Sequence, residues 1–442
     1  MRILFISQEL IAGDVARRIY EEGHDVRLCI LDETLTEVYS GILPHVTSWR
    51  DQISWVGKDG LIIFDDVGFG AEQDALRAEG YTVFGGSEEG ERLETERAFG
   101  QRIFEHCGLK NPETHDFDSI FDALTFVQKH PRAWVIKCSG HQQKHLAYIG
   151  TTHNGSDILH VLKQYINTLP DPQHFHITLQ ERIFGVEMGI GRFFNGKHWV
   201  GPIEYNIEHP RLYKDIGPII NEMGTLAWYG KNEKERMYRE VLLPLEEYLR
   251  AANFRGDFSI NCIINEDGIY PIEATTRFGS PIVHLQTTLH KESWLPFLLA
   301  VARGEKYTLR HYNGFGIVIV GALPPFPYPS EKIGALSRGT PIFFDTSLSE
   351  TEKTRIHFEE VAVQKNNGAE YYQATGPDGY CLYTTGLGKS VKEAQQNALR
   401  VMKKIHMHKL FYRPDIGDDF ILWQRDALLK YGIDVPLDER EW

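Results

Sequence analysis

No stretch of this sequence reaches the roughly 18 consecutive apolar residues that a membrane-crossing helix needs, so no membrane span and no membrane partner are expected. No two cysteines stand in a CxxC spacing. The five present (Cys29, Cys107, Cys138, Cys262 and Cys381) are scattered and odd in number, which argues against a zinc site and for reduced thiols in a cytoplasm. Positive charge is in deficit: 47 Lys and Arg face 61 Asp and Glu, a formal net charge of −14. That argues against a nucleic-acid surface, although an acidic protein can still hold a local basic pocket for phosphates. Repeats and low-complexity segments are absent. The opening "MRILFISQEL" is only briefly apolar and lacks a signal-peptide cleavage pattern; it reads as a first β-strand.

What is present describes a folded, multidomain chain. With 442 residues, 42% of them apolar and 12% aromatic, two to four domains are expected. "RILFIS", "AGDVARRIYEEG" and "HDVRLCIL" alternate strand, helix and strand, and "GLIIFDD", "FGAEQDALRAEG" and "YTVFGG" repeat the pattern. Such alternation implies βαβ units on a parallel sheet, a Rossmann-like domain placed at 1–105. "SEEGERLETERAFGQRIFEHCGL" reads as one polar helix leading out of it. A second domain is placed at 106–305, with helices "SIFDALTFVQKH" and "GSDILHVLKQYINTL" flanking the strand "RAWVIKCSG". From Thr178 the apolar–polar alternation of "ITLQERIFGVEMGIGRFFNGKHWVGPIEYNIE", with a turn at "FNGK", reads as antiparallel strands. "KERMYREVLLPLEEYLRAANF" reads as one long amphipathic helix, and "GDFSINCIINEDGIYPIEA" as a hairpin turning at "NEDG". A small mixed α/β domain is placed at 306–425, and 426–442 is a peripheral tail.

Several residues invite a chemical reading. Lys137 ends a strand, where its ammonium can meet a nucleotide phosphate; a plain edge lysine is the alternative. In "LQERIFGVEMG", Gln180, Glu181 and Ile183 form a candidate adenine hinge. Glu187 is placed to accept from two ribose hydroxyls, against the alternative of exposed acids on a hairpin. Asn261 and Glu273 lie on the two strands of one hairpin, within reach of one ion, with Thr275 beside them. Mg²⁺ takes such oxygen ligands. For Glu273 a metal, Arg277 and water all remain candidate partners. Arg277 suits bidentate recognition of a carboxylate or acyl phosphate. "YKDIGPIINEMG", with Asp215, Gly217, Pro218 and Gly224, is a candidate loop closing over substrate.

Taken in order, these segments resemble the ATP-grasp superfamily, and within it glycinamide ribonucleotide synthetase. "RLETERAFGQRIFEHCGL", "WVIKCSG", "LQERIFGVE", "KDIGPIINEMG", "YPIEATTRFGSP" and the C-terminal "GLGKSVKEAQQNALRVMKKI" with "FYRPDIGDDF" carry the resemblance over nearly the whole chain. It implies an N-terminal Rossmann-like domain, a central ATP-grasp fold with its nucleotide cleft between 115–180 and 181–305, and a small C-terminal domain. It also implies ATP with Mg²⁺ (or Mn²⁺) and a carboxylate–amine ligation through an acyl phosphate. Arg97 and Lys137 would then hold phosphates, Glu181 and Ile183 would flank adenine, and Glu187 would hold ribose. Glu273, Asn261 and Thr275 would serve the metal, and Arg277 the carboxylate or acyl phosphate, with Lys144 standing in for a second phosphate lysine.

The departures point away from a sugar phosphate. The family's glycine-rich phosphate loop is "HQQKHLAYIG" here, and its Glu-x-Asn is Glu273-Ala274-Thr275. A Gly-Gly-Arg-Glu-His loop is replaced by "SQELIAGDVA", and a Gly-Pro-Glu loop by "FDDVGFG", both with acidic groups where a phosphorylated sugar needs donors. The expected substrates are therefore a small carboxylate and an amine other than phosphoribosylamine. A non-catalytic nucleotide-binding relative and a true phosphoribosylamine–glycine ligase are the alternatives.

Overall fold

The computed structural model describes residues 1–137, 146–217, 219–220, 222–328, 330, 334, 336–366 and 369–436. The chain divides into two compact units: Met1–Leu109 with Val186–Cys262 and Pro271–Trp442, and Lys110–Gly185 with Ile263–Tyr270. The boundaries at 105 and 305 expected from sequence texture differ from this division: 105 falls near the end of the first segment, and 305 falls inside the larger unit.

The larger unit begins as the alternation predicts. Strands Arg2–Ser7, Asp25–Ile30, Leu61–Phe64 and Val83–Phe84 pair in parallel, in the order second, first, third, fourth. Their unbroken apolar letters follow from burial on both faces, and Leu4, Ile6, Ile62, Phe64 and Trp49 pack one side. An eight-stranded sheet follows, running Gly268–Thr275, Asp257–Asn265, Val186–Phe194, Trp199–Glu208, Gly224–Gly230, Phe315–Ala322, Tyr380–Gly388 and Ile356–Phe358 across its width. The late strands thus extend the sheet that holds the middle ones. The helix Ile282–Leu289 seats Leu285 and Leu289 against Val318, Val320 and Tyr383 of that sheet. The turn within "FNGK" forms because Asn195 Oδ1 accepts from the N–H groups of Lys197 (3.0 Å) and His198 (2.8 Å) while Gly196 takes φ +84°.

In the smaller unit, Thr114–Phe117, Ile177–Glu181, Trp134–Lys137 and Tyr148–Ile149 form a four-stranded antiparallel sheet. Helices Ile120–Lys129 and Ser156–Thr168 bury Ala123, Val127, Ile158 and Leu162 on it with Trp134 and Leu179. The "NEDG" hairpin tip is closed by Asn265 Oδ1, which accepts from Asp267 N–H (2.9 Å) and Gly268 N–H (3.2 Å). Gly185 lies against this tip: a β-carbon there would stand 2.2 Å from the Ile264 carbonyl oxygen. Gly185→Ala is therefore expected to cost about 1–3 kcal/mol by overpacking, read as a lowered urea midpoint at unchanged slope.

Two helices expected to be continuous are broken. The polar one splits into Glu88–Thr95 and Arg97–His106 because Glu96 leaves helical space (φ −117°, ψ 82°). The amphipathic one passes through a π-turn at Tyr238–Leu242 and a 3₁₀ turn at Leu243–Leu245 before Glu246–Ala251. Pro244, with no N–H to give, is the reason for the irregular stretch. Among the described residues no helix is long and apolar enough to cross a membrane. Four cysteines are described, Cys29, Cys107, Cys262 and Cys381, and all are free thiols; Cys138 lies outside the described residues.

Candidate active site

The larger unit gathers acids on one part of its sheet. Alternation along Gly268–Thr275 turns Glu273 outward, 55% exposed, beside the buried Ala274. Its carboxylate lies 3.7 Å from the Arg97 guanidinium, at the start of the helix that follows the Glu96 break. Arg277, one of the partners considered for Glu273, is not the one found; the nearby cation is Arg97, which was not among them. Asn261, on the neighbouring strand, donates from Nδ2 to Glu208 Oε2 at 3.0 Å. Glu208 is pushed up to about 8, first by burial and then by the charges of Glu187 and Glu273. Glu222 is raised well above the usual range by burial, with Glu208 and Glu187 adding to it; Thr225 donates its hydroxyl proton to it.

Glu208 feels the charges of Glu187 and Glu273, and with the Asn261 amide alongside these are all oxygen donors. That is the chemistry a hard divalent cation takes. Glu208, Glu273 and Asn261 offer oxygen donors of the kind Mg²⁺ takes, with the Thr275 hydroxyl two residues from Glu273 along the same face. Sequence reading missed Glu208 and Glu222. The available signal was an acid closing the otherwise apolar strand Trp199–Glu208, and another just before Gly224.

Raised acids set the sign of the pH dependence. Burial pushes Glu208 from 4.5 up to about 8, and burial also raises the adjacent pair Glu204 and Asp257. The folded state holds protons that the unfolded chain has released, so stability is highest below about pH 4.5 in their contribution and is lost as pH rises toward 8. The melting temperature of the metal-free protein is expected to fall between about pH 5 and 8. Glu208→Gln, which still accepts from Asn261, should flatten that slope in a pH series of thermal melts.

Arg277 sits at the end of the same strand, past a buried Thr276. Glu94 receives bonds from Arg277 Nε (2.9 Å), Thr276 N–H (2.8 Å) and the Thr276 hydroxyl (3.2 Å). Asp66, from the "FDDVGFG" segment, lies 3.4 Å from the same Nε. Its two acids hold the guanidinium charged, raising its pKa against the effect of burial.

The candidate substrate loop is tied down at one end. Buried Arg413, from "FYRPDIGDDF", donates to Asp215 (2.7 Å), to Asp415 (2.9 Å) and to the Arg211 carbonyl (2.7 Å). Gly217 takes φ +88°, and its carbonyl accepts from Arg211. Gly224 opens the strand Gly224–Gly230, where a β-carbon would stand 2.5 Å from the Val318 carbonyl oxygen. That close approach accounts for the glycine and places it in the sheet instead of the loop. Pro218 and Lys144 lie outside the described residues.

In the smaller unit, Lys137 ends the strand Trp134–Lys137 as expected. Gln180 is buried and donates to the Thr114 hydroxyl at 3.1 Å. The Glu181 carboxylate pairs with Arg132 at 3.3 Å, and the N–H groups of Glu181 and Arg182 bond to the carbonyls of Glu113 and Ala133. Ile183 follows the last of these sheet bonds.

No family model matches the chain. It is 23% identical over 354 residues to a phosphoribosylamine–glycine ligase of Helicobacter pylori, covering 78% of each chain. Its fold matches the crystal structure of a phosphoribosylamine–glycine ligase from Thermotoga maritima with a TM-score of 0.70 at 19% identity, over 94% of this chain and 100% of that one. It also matches the biotin carboxylase domain of the 2-oxoglutarate carboxylase of Hydrogenobacter thermophilus, solved with MgADP and bicarbonate. There the TM-score is 0.62 at 13% identity, over 98% of this chain and 95% of that one.

Proposed function

We propose that this chain, whose fold is the ATP-grasp fold and whose sequence resembles the phosphoribosylamine–glycine ligases, is an ATP-dependent carboxylate–amine ligase. One observation carries the reading. A strand pair brings Asn261 to Glu208, whose carboxyl feels the charge of Glu273, and the strand of Glu273 runs on into Arg277, which is paired with Glu94.

In this reading the acceptor carboxylate takes the terminal phosphoryl group of ATP, giving an acyl phosphate and ADP. The amine then forms the C–N bond as the C–O bond to phosphate breaks and phosphate leaves. Glu273, Asn261 and Glu208, with the Thr275 hydroxyl near, would hold Mg²⁺, which would supply charge neutralisation for the phosphates. Arg97 and Lys137 bring the protein's own cations to the phosphates, and Lys144 follows in the same segment. Gln180, Glu181 and Ile183 border the adenine, and Glu187 accepts from the ribose. Arg277, already oriented by Glu94, holds the carboxylate in line. Positioning and charge, more than covalent chemistry, do the work.

The relatives' names favour a second reading, ligation of glycine to phosphoribosylamine. The acids of "SQELIAGDVA" and "FDDVGFG" weigh against it. The test is ADP release with Mg²⁺, ATP and a matrix of carboxylates and amines, with products read by mass spectrometry. An amide appearing with stoichiometric ADP supports the ligase. Binding of Mg·ATP with no turnover on any pair would favour a non-catalytic nucleotide-binding protein.

A further inference from the structure

The strand Trp199–Glu208 carries Glu208 at its end and is interrupted near its start. Pro202 has no N–H to give to a ladder, and Gly201 before it takes φ +78°. Pairing with Val186–Phe194 therefore shifts register between Val200 and Glu204, a bulge of the kind that bends a strand and re-aims its side chains. The Gly201 carbonyl accepts from Arg192 Nε at 2.9 Å. Against this bulge lies a cavity of about 430 Å³, whose wall includes Arg192, Trp199, Lys231, Lys306, Tyr307 and His311. All of it belongs to the larger unit. Val200 and Glu208 stand roughly 25 Å apart along the extended strand, so the cavity is distinct from the acids described above.

The wall carries charge of one sign. Arg192, Lys231 and Lys306 line it and, among the described residues, no Asp or Glu does, in a chain whose net charge is −14. The acids just outside are already taken. Glu233 pairs with Arg192 at 2.7 Å, and Glu292 pairs with Arg310 and accepts from the Tyr307 hydroxyl at 3.1 Å. Lys231 and Lys306, at the exposed rim, have no carboxylate partner among the described residues. Two buried residues of the wall also hold unspent polar atoms. Trp199, 7% exposed, has its Nε1–H without an acceptor. His311, 8% exposed, donates from Nδ1 to the Tyr312 carbonyl at 2.9 Å, which leaves Nε2 without a partner. Buried polar atoms are paired in the great majority of cases, so two open ones on residues of one cavity mark a place suited to a ligand's polar groups.

We infer that this cavity is a binding site for a small polyanion, a phosphate ester or a di- or tricarboxylate, separate from the residues read as serving ATP and metal. Two ammonium groups without carboxylate partners match two negative charges, and lysine meets such oxygens as a point charge. The concave wall concentrates the field of these cations in a way that scattered surface lysines do not. The volume admits a metabolite-sized molecule. The indole N–H suits an oxygen of the anion, and the imidazole Nε2 suits a hydroxyl of the same molecule. The inference stands apart from the ligase reading, since none of its residues serves that reading.

Calorimetry on the full chain tests the site with inorganic phosphate, citrate and acetate, at about pH 8 where phosphate is mostly a dianion. Phosphate or citrate is expected to bind at least about tenfold more tightly than acetate, and the tighter of the two tells a phosphate ligand from a carboxylate one. Lys231→Ala and Lys306→Ala should each weaken that probe about tenfold. Lys234→Ala, at an exposed lysine outside the wall, should leave it unchanged. All three positions are exposed, and an unchanged melting temperature reports that the variants are folded. A second measurement places the probe. Of the eight tryptophan indole N–H resonances, the one lost in Trp199→Phe should shift as the probe is added. Arg277→Lys should leave the affinity as it is. The site is overturned if neither phosphate nor citrate binds more tightly than acetate, if both wall variants bind like wild type, or if Lys234→Ala weakens binding as much as they do. Loss in Arg277→Lys with the wall variants unaffected would likewise overturn it, placing the anion beside Glu94 instead.

Discussion

Glu273→Ala is expected to lower kcat for Mg²⁺-dependent ADP release by on the order of 100–1,000-fold, about 3–4 kcal/mol of transition-state stabilisation. The side chain is more than half exposed, and among the described residues its close cation is Arg97 at 3.7 Å, so little folding energy depends on it. Thermal stability should therefore stay near wild type while activity collapses, a combination that an ordinary surface pair cannot produce. Glu273→Gln sharpens the test, since it keeps the shape and one acceptor oxygen but removes the charge. If Glu273 holds a divalent ion, raising Mg²⁺ should recover part of the glutamine variant's activity and none of the alanine variant's. Activity of both variants within a few-fold of wild type, measured by coupled ADP release, would remove Glu273 from the metal set.

Arg277→Met should fail in both respects. It removes the cation that Glu94 and Asp66 share, and those acids are only 19% and 7% exposed. Removing one partner of a buried pair leaves the other charge stranded, typically at a cost of about 3–5 kcal/mol; the partial exposure here puts the expectation at the lower end. The guanidinium's site role should appear separately in Arg277→Lys. That variant keeps a charge for Glu94 but loses the planar fork, so KM for the carboxylate should rise far more than stability falls. Chemical denaturation and initial-rate kinetics on the same two variants measure both halves.

Several of the candidate residues announce themselves locally. Glu273 is an acid in an apolar strand that ends in a turn, Asn261 lies across a hairpin whose turn letters are plain, and Lys137 closes a short apolar run. The parallel N-terminal sheet was equally open to reading, since its strands are buried on both faces and so are nearly pure apolar runs. What stayed hidden depends on distant segments meeting. Glu208 feels Glu187 and Glu273, and Glu222 feels Glu208 and Glu187, only because one antiparallel sheet gathers distant strands and the turn before Gly224. Arg277 offered Glu273 as its obvious mate four residues back. At a strand end, however, four residues do not bring two side chains together as they do in a helix, and Arg277 turns instead to Glu94 on a helix nearly two hundred positions earlier. The helix break at Glu96, which leaves Arg97 opening the next helix and 3.7 Å from Glu273, has no Gly or Pro to betray it.

The most direct test of the central claim follows an oxygen atom. Ligation through an acyl phosphate moves one oxygen of the substrate carboxylate onto the phosphate that leaves. With the carboxylate labelled with ¹⁸O and turned over with Mg²⁺, ATP and an amine, mass spectrometry of the released inorganic phosphate should show one heavy oxygen per amide formed. Amide formation with unlabelled phosphate would contradict the account.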